Sequence, residues 1–94
     1  HRYVLEQTLG RLGEHLREHP NDLSLIIHLD DVTGLVHSLP FEVDLWKVQN
    51  IYYSLLQTVY PGNLQKAAGG NEGAREWIAR FNALGDKLRV RRES

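Results

Sequence analysis

Leucines at positions 5, 9, 12 and 16 recur at intervals of 4, 3 and 4 residues. Residues three and four apart share a face of a helix, so this is the stripe of an amphipathic helix. The spacing predicts a first helix over residues 3–19. Pro20 ends it, because the residue before a proline is pushed out of the α region. Gly10 and Gly13 each cost about 1 kcal/mol of helix propensity relative to alanine. Their three-residue interval either suits a close approach by another helix or is a tolerated defect.

Asn21 and Asp22 then offer an N-cap, whose side-chain oxygen accepts a bond from an orphan amide. A second helix is expected over residues 22–38. Leu25, Ile26, Leu29, Val32, Val36 and Leu39 form its apolar face, and Leu23 and Leu35 widen it, so we expect it to be the central helix. Thr33 and Gly34 mark a bend or a tight crossing, and Pro40 closes the segment.

A third helix begins near Pro40 or Asp44, capped by Ser38 or Asp44, and reaches about Val59. Val43, Trp46, Val48, Ile51, Tyr52, Leu55 and Leu56 make it apolar nearly all round, the pattern of a helix packed on more than one neighbour. Tyr60, Pro61 and Gly62 end it. Residues 61–71 read as a loop, with at most one helical turn over 64–68 and a break at Gly69 and Gly70. Asn71 caps a last helix over residues 72–89, where Trp77, Phe81, Leu84 and Leu88 follow the same 4, 3, 4 spacing. No segment alternates with period two. The pattern predicts an all-α fold, a compact bundle of about four helices, in one domain spanning residues 1–94.

Composition adds mainly exclusions. The absence of cysteine removes disulfides, thiolate–zinc sites and cysteine catalysis, and fits a reducing compartment. No apolar run approaches the roughly 20 residues of a membrane span, and no signal-peptide pattern is present. We therefore expect a cytoplasmic setting and no membrane partner. A chain that starts at His1 and lacks methionine is expected to be a piece of a longer polypeptide.

The net charge of −1 gives no global field toward nucleic acid. Charge is nonetheless uneven. No Lys or Arg lies between Arg17 and Lys47, whereas Glu18, Asp22, Asp30, Asp31, Glu42 and Asp44 do. Lys87, Arg89, Arg91 and Arg92 make the end basic. Each region is a surface feature first and a docking face second.

Candidate chemistry is thin. His15 and His19 have the i, i+4 spacing of a metal pair, but no glutamate completes a zincin motif, and we read them as exposed. His28, Asp30, Asp31 and His37 combine carboxylates with imidazoles. Adjacent helical residues point about 100° apart, so Asp30 and Asp31 do not converge. We expect a solvated acidic face there, with one histidine on the buried side and a carboxylate available to pair with an arginine of the last helix. Gln49 and Asn50 are expected to bond to a neighbouring helix and fix its packing.

Trp46, Tyr52, Tyr53, Tyr60, Trp77 and Phe81 are many aromatics for a short chain. Sugar binding uses aromatic faces with nearby amides, yet aromatics at helical spacing are core, and only Tyr53 and Tyr60 are expected at the surface. No phosphate loop, nucleophile elbow or metal-ligand spacing is present. We expect no catalytic residue, cofactor or metal in this chain.

The segment Leu39-Pro40-Phe41-Glu42-Val43-Asp44-Leu45-Trp46-Lys47-Val48-Gln49-Asn50-Ile51-Tyr52-Tyr53 carries a Leu-Trp-x-x-Gln-Asn-x-Tyr pattern after a proline-led start. It resembles the helical C-terminal domain of bacterial proteins whose front end is a family-57-type glycoside hydrolase domain. The resemblance covers about a sixth of the chain, and the remainder only by helical character. It implies a parent acting on α-glucans, with two catalytic carboxylates in a barrel outside this chain. The implied role here is a non-catalytic accessory domain packed on that catalytic domain. Trp46, Gln49, Asn50 and Tyr53 carry the resemblance and are the candidate ligand-binding positions. The alternative reading is a stand-alone helical protein-interaction module.

Overall fold

The computed structural model describes residues 1–90 and builds them from five α-helices, with no strand among the described residues. They are α1 (Arg2–Glu18), α2 (Leu23–His37), α3 (Trp46–Thr58), α4 (Tyr60–Ala68) and α5 (Glu72–Leu88). None of these helices is long and apolar enough to cross a membrane.

Local chemistry explains most of the boundaries. Asp22 caps α2, its carboxylate accepting the Ser24 amide at 3.0 Å and the Ser24 hydroxyl at 2.6 Å. Asn71 caps α5 by accepting the Ala74 amide at 2.9 Å. At the other end of α5, Arg89 takes a left-handed conformation (φ 62°), and its amide and that of Val90 bond back to Asp86 and Gly85. Those bonds satisfy carbonyls that a helix terminus leaves open. A glycine is the usual residue at such a position; here arginine occupies it.

Two elements depart from the expected pattern. Of the two expected starts the structure follows the one near Asp44, not Pro40: the third helix begins at Trp46. Residues 39–45 form an irregular strap, with Val43 and Leu45 half-buried against the core. Asp44 anchors it: its amide donates to Glu6 at 2.8 Å, and its carboxylate accepts the Trp46 amide at 2.9 Å. Residues 61–71, expected as loop, are mostly helix α4, so the bundle has five helices rather than four. Pro61 sits in the first turn of α4, where a missing N–H leaves no intrahelical bond unmade. Only Val59 separates α3 from α4.

The core joins Leu9 and Leu16 of α1, Ile26, Leu29 and Val36 of α2, Val48, Ile51, Tyr52 and Leu55 of α3, and Trp77, Phe81, Leu84 and Leu88 of α5. At its centre Phe81 is stacked on Tyr52 (centroids 4.1 Å apart) and on Trp77 (4.5 Å). The polar ends of these aromatics are satisfied: Tyr52 donates to the Phe81 carbonyl at 2.8 Å, and Trp77 Nε1 to the Pro20 carbonyl at 2.7 Å.

Paired positions set the helix directions. Glu6 meets Asp44, and the backbone of Gly13 lies against Ile51 and Val48, so α1 and α3 run in the same sense. Pro20 meets Trp77 and Asp30 meets Lys87, so α2 and α5 also run together. Tyr52 meets Phe81 and Gln49 meets Leu88, which makes α3 and α5 antiparallel. Helices α2 and α3 are neighbours in sequence but do not approach each other closely. The strap carries the chain from one to the other.

Two surface carboxylates make stability sensitive to acid. The Ser24 hydroxyl, the main cause, holds the Asp22 carboxyl below its ordinary value, and the bond from Arg17 does the same for Glu14. A depressed folded-state value stabilises the protein above the ordinary carboxylate range and loses that contribution as pH falls through and below it. Denaturation midpoints measured between about pH 5 and pH 2 are expected to fall less steeply in Asp22→Asn, which retains a capping side chain. An unchanged pH dependence would show that Asp22 contributes nothing through this bond.

Candidate functional site

Helix α3 is two-faced. Val48, Ile51, Tyr52 and Leu55 are buried, while Trp46, Asn50, Tyr53 and Gln57 are exposed. The exposed set follows intervals of 4, 3 and 4 and lies along one line of the helix. Trp46 is 68% exposed and Tyr53 52% exposed. Seven residues of helix separate them by about 10.5 Å along the axis. Between them Asn50 donates from Nδ2 to the Trp46 carbonyl at 3.0 Å.

This placement corrects the expectation that Trp46 belongs to the core. It leads the polar line of α3, nearly opposite Val48. Tyr53 is at the surface as expected. Tyr60 is only half-buried and leans on Phe81 and Trp77, with centroids 5.6 and 6.4 Å away.

The four residues singled out from sequence therefore divide. Trp46, Asn50 and Tyr53 share the outer face. Gln49 turns inward, donating from Nε2 to the Leu88 carbonyl at 2.8 Å. It holds α3 to the end of α5, the structural role expected of an amide here. Asn50 bonds within its own helix rather than to a neighbour.

The base of the face is fixed from α1. Glu6 holds the strap at Asp44, and Glu14 lies 3.4 Å from Lys47 while also binding Arg17 at 2.6 Å. The outer line itself carries no charged residue. It presents two aromatic side chains and an amide, a surface suited to binding rather than to acid–base chemistry.

The histidine and carboxylate candidates do not form a site. His15, His19, His28 and Asp31 are all exposed, so the histidine expected on the buried side of α2 is at the surface instead. Asp30 is largely covered and pairs with Lys87 at 2.9 Å, a lysine where an arginine was expected. Gly34 leaves room beside that pair: a Cβ there would stand 3.3 Å from Lys87 Nζ, a tight contact. In the sequence Lys87 stands only as part of the basic end and Gly34 as a bend or a tight crossing; the fold brings the two together. His37 Nε2 lies 2.6 Å from the Lys87 carbonyl and ties the C-terminal ends of α2 and α5 together. Among the described residues no three or more His, Cys, Asp or Glu side chains cluster as metal ligands. Arg89 is exposed, and Arg91 and Arg92 lie outside the described residues.

A concave feature lies at the end of the bundle, where the strap meets the end of α5. It is a notch of about 470 Å³ bounded by Val36, His37, Phe41, Glu42, Leu45 and Arg89. The Arg2 guanidinium stands 6.0 Å from the centre of the nearby Phe41 ring.

No family model matches the sequence, and no curated protein or solved structure shows significant similarity to it. The fold is that of a small all-helical bundle.

Proposed function

We propose that this chain is a non-catalytic helical accessory domain of a larger carbohydrate-active protein, packed on its catalytic domain, and that the outer face of α3 binds α-glucan. The observation that supports the reading is the exposure of Trp46 and Tyr53 on one line with Asn50 between them. An aromatic ring covers the C–H face of a sugar, and an amide serves its hydroxyls. An uncharged line suits an uncharged polymer. A cytoplasmic setting belongs to the same proposal.

The test is titration of the chain with a soluble α-glucan by calorimetry. Trp46→Ala and Tyr53→Ala are each expected to weaken binding at least about tenfold, equivalent to about 1.4 kcal/mol. Their folding stability should stay within about 0.5 kcal/mol of the parent, as for surface substitutions generally. Affinity unchanged from the parent in both variants, or no binding by the parent chain, overturns the glucan assignment.

Leu35 favours a second reading, a helical protein-interaction module. It is 67% exposed on the acidic helix α2, four residues from Asp31. An exposed aliphatic side chain gains by meeting another apolar surface, not a hydroxylated one. A partner protein whose binding is lost in Leu35→Lys and retained in Tyr53→Ala would select this reading.

A further inference from the structure

We draw no further inference here: the strongest candidate, the notch between the 39–45 strap and the C-terminal end of α5, is bounded by Glu42 as well as by His37 and Arg89, and nothing in the structure shows what covers it.

Discussion

Replacing Phe81 by alanine is expected to remove about 3–5 kcal/mol of stability, a large share of the total. Phe81 is fully buried and stacks on Tyr52 and Trp77, with Tyr60 leaning against it. Deletion of the ring therefore strips contacts from α3, α4 and α5 together. The surrounding rings are large and hydrogen-bonded to fixed carbonyls, so they are poorly placed to collapse into the space. A domain of this size has a total stability of about 5–10 kcal/mol. Urea denaturation followed by circular dichroism measures the loss. A cost under about 1 kcal/mol would show that the stack is not the centre of the core.

Gly13→Leu is expected to be nearly as damaging for the opposite reason, too much volume. The Cβ of any residue at position 13 would stand 3.1 Å from Ile51 Cδ1 and 3.9 Å from the Val48 Cα. Backbone cannot swing aside, so a leucine drives α1 away from α3 at an expected cost of about 2–3 kcal/mol. Gly13→Ala should fall near neutrality, because about 1 kcal/mol of helix propensity offsets the tighter packing. Gly10→Ala is the internal control. Its Cβ would meet only the flexible Lys47 chain at 3.5 Å, so the propensity gain is expected to appear as added stability. Equal effects of alanine at 10 and 13 would contradict the close approach at Gly13.

The helical periodicity of α1, α2 and α5 was legible because each has one buried stripe and a clear stop or cap. Leu9 and Leu16, Ile26 and Leu29, and Trp77 and Phe81 are all buried, as their spacing implies. Helix α4 was missed because Pro61 and Gly62 were read as terminators, whereas a proline in a first turn is compatible with a helix start. The sequence leaves the start of α3 open between Pro40 and Asp44, with Val43 counted on its apolar face and Leu39 on that of α2. Residues 39–45 pack as a strap instead, held by Glu6, a contact 38 residues distant in sequence.

The candidate site was legible in identity but not in orientation. Trp46, Asn50 and Tyr53 were named, yet Trp46 was placed in the core because the helix appeared apolar on all sides. Two residues of helix turn about 200°, so Trp46 cannot share a face with Val48. That arithmetic separates the two lines of α3 from sequence alone. The Asp30–Lys87 pair was legible only as a carboxylate of α2 meeting a basic residue of the last helix, with arginine named for lysine, because nothing local announces that α2 and α5 run side by side in the same sense.

The two tryptophans differ in almost everything a fluorophore senses. Trp77 is 2% exposed, stacked on Phe81 and hydrogen-bonded through its indole nitrogen; Trp46 stands in solvent. The native emission spectrum is therefore a sum of two colours, and acrylamide should quench only the redder one. Unfolding should move the bluer component onto the redder, so the raw spectrum understates the change in the core. Trp46→Phe removes the constant background and leaves Trp77 as a single light where the turn before α2 meets α4 and α5.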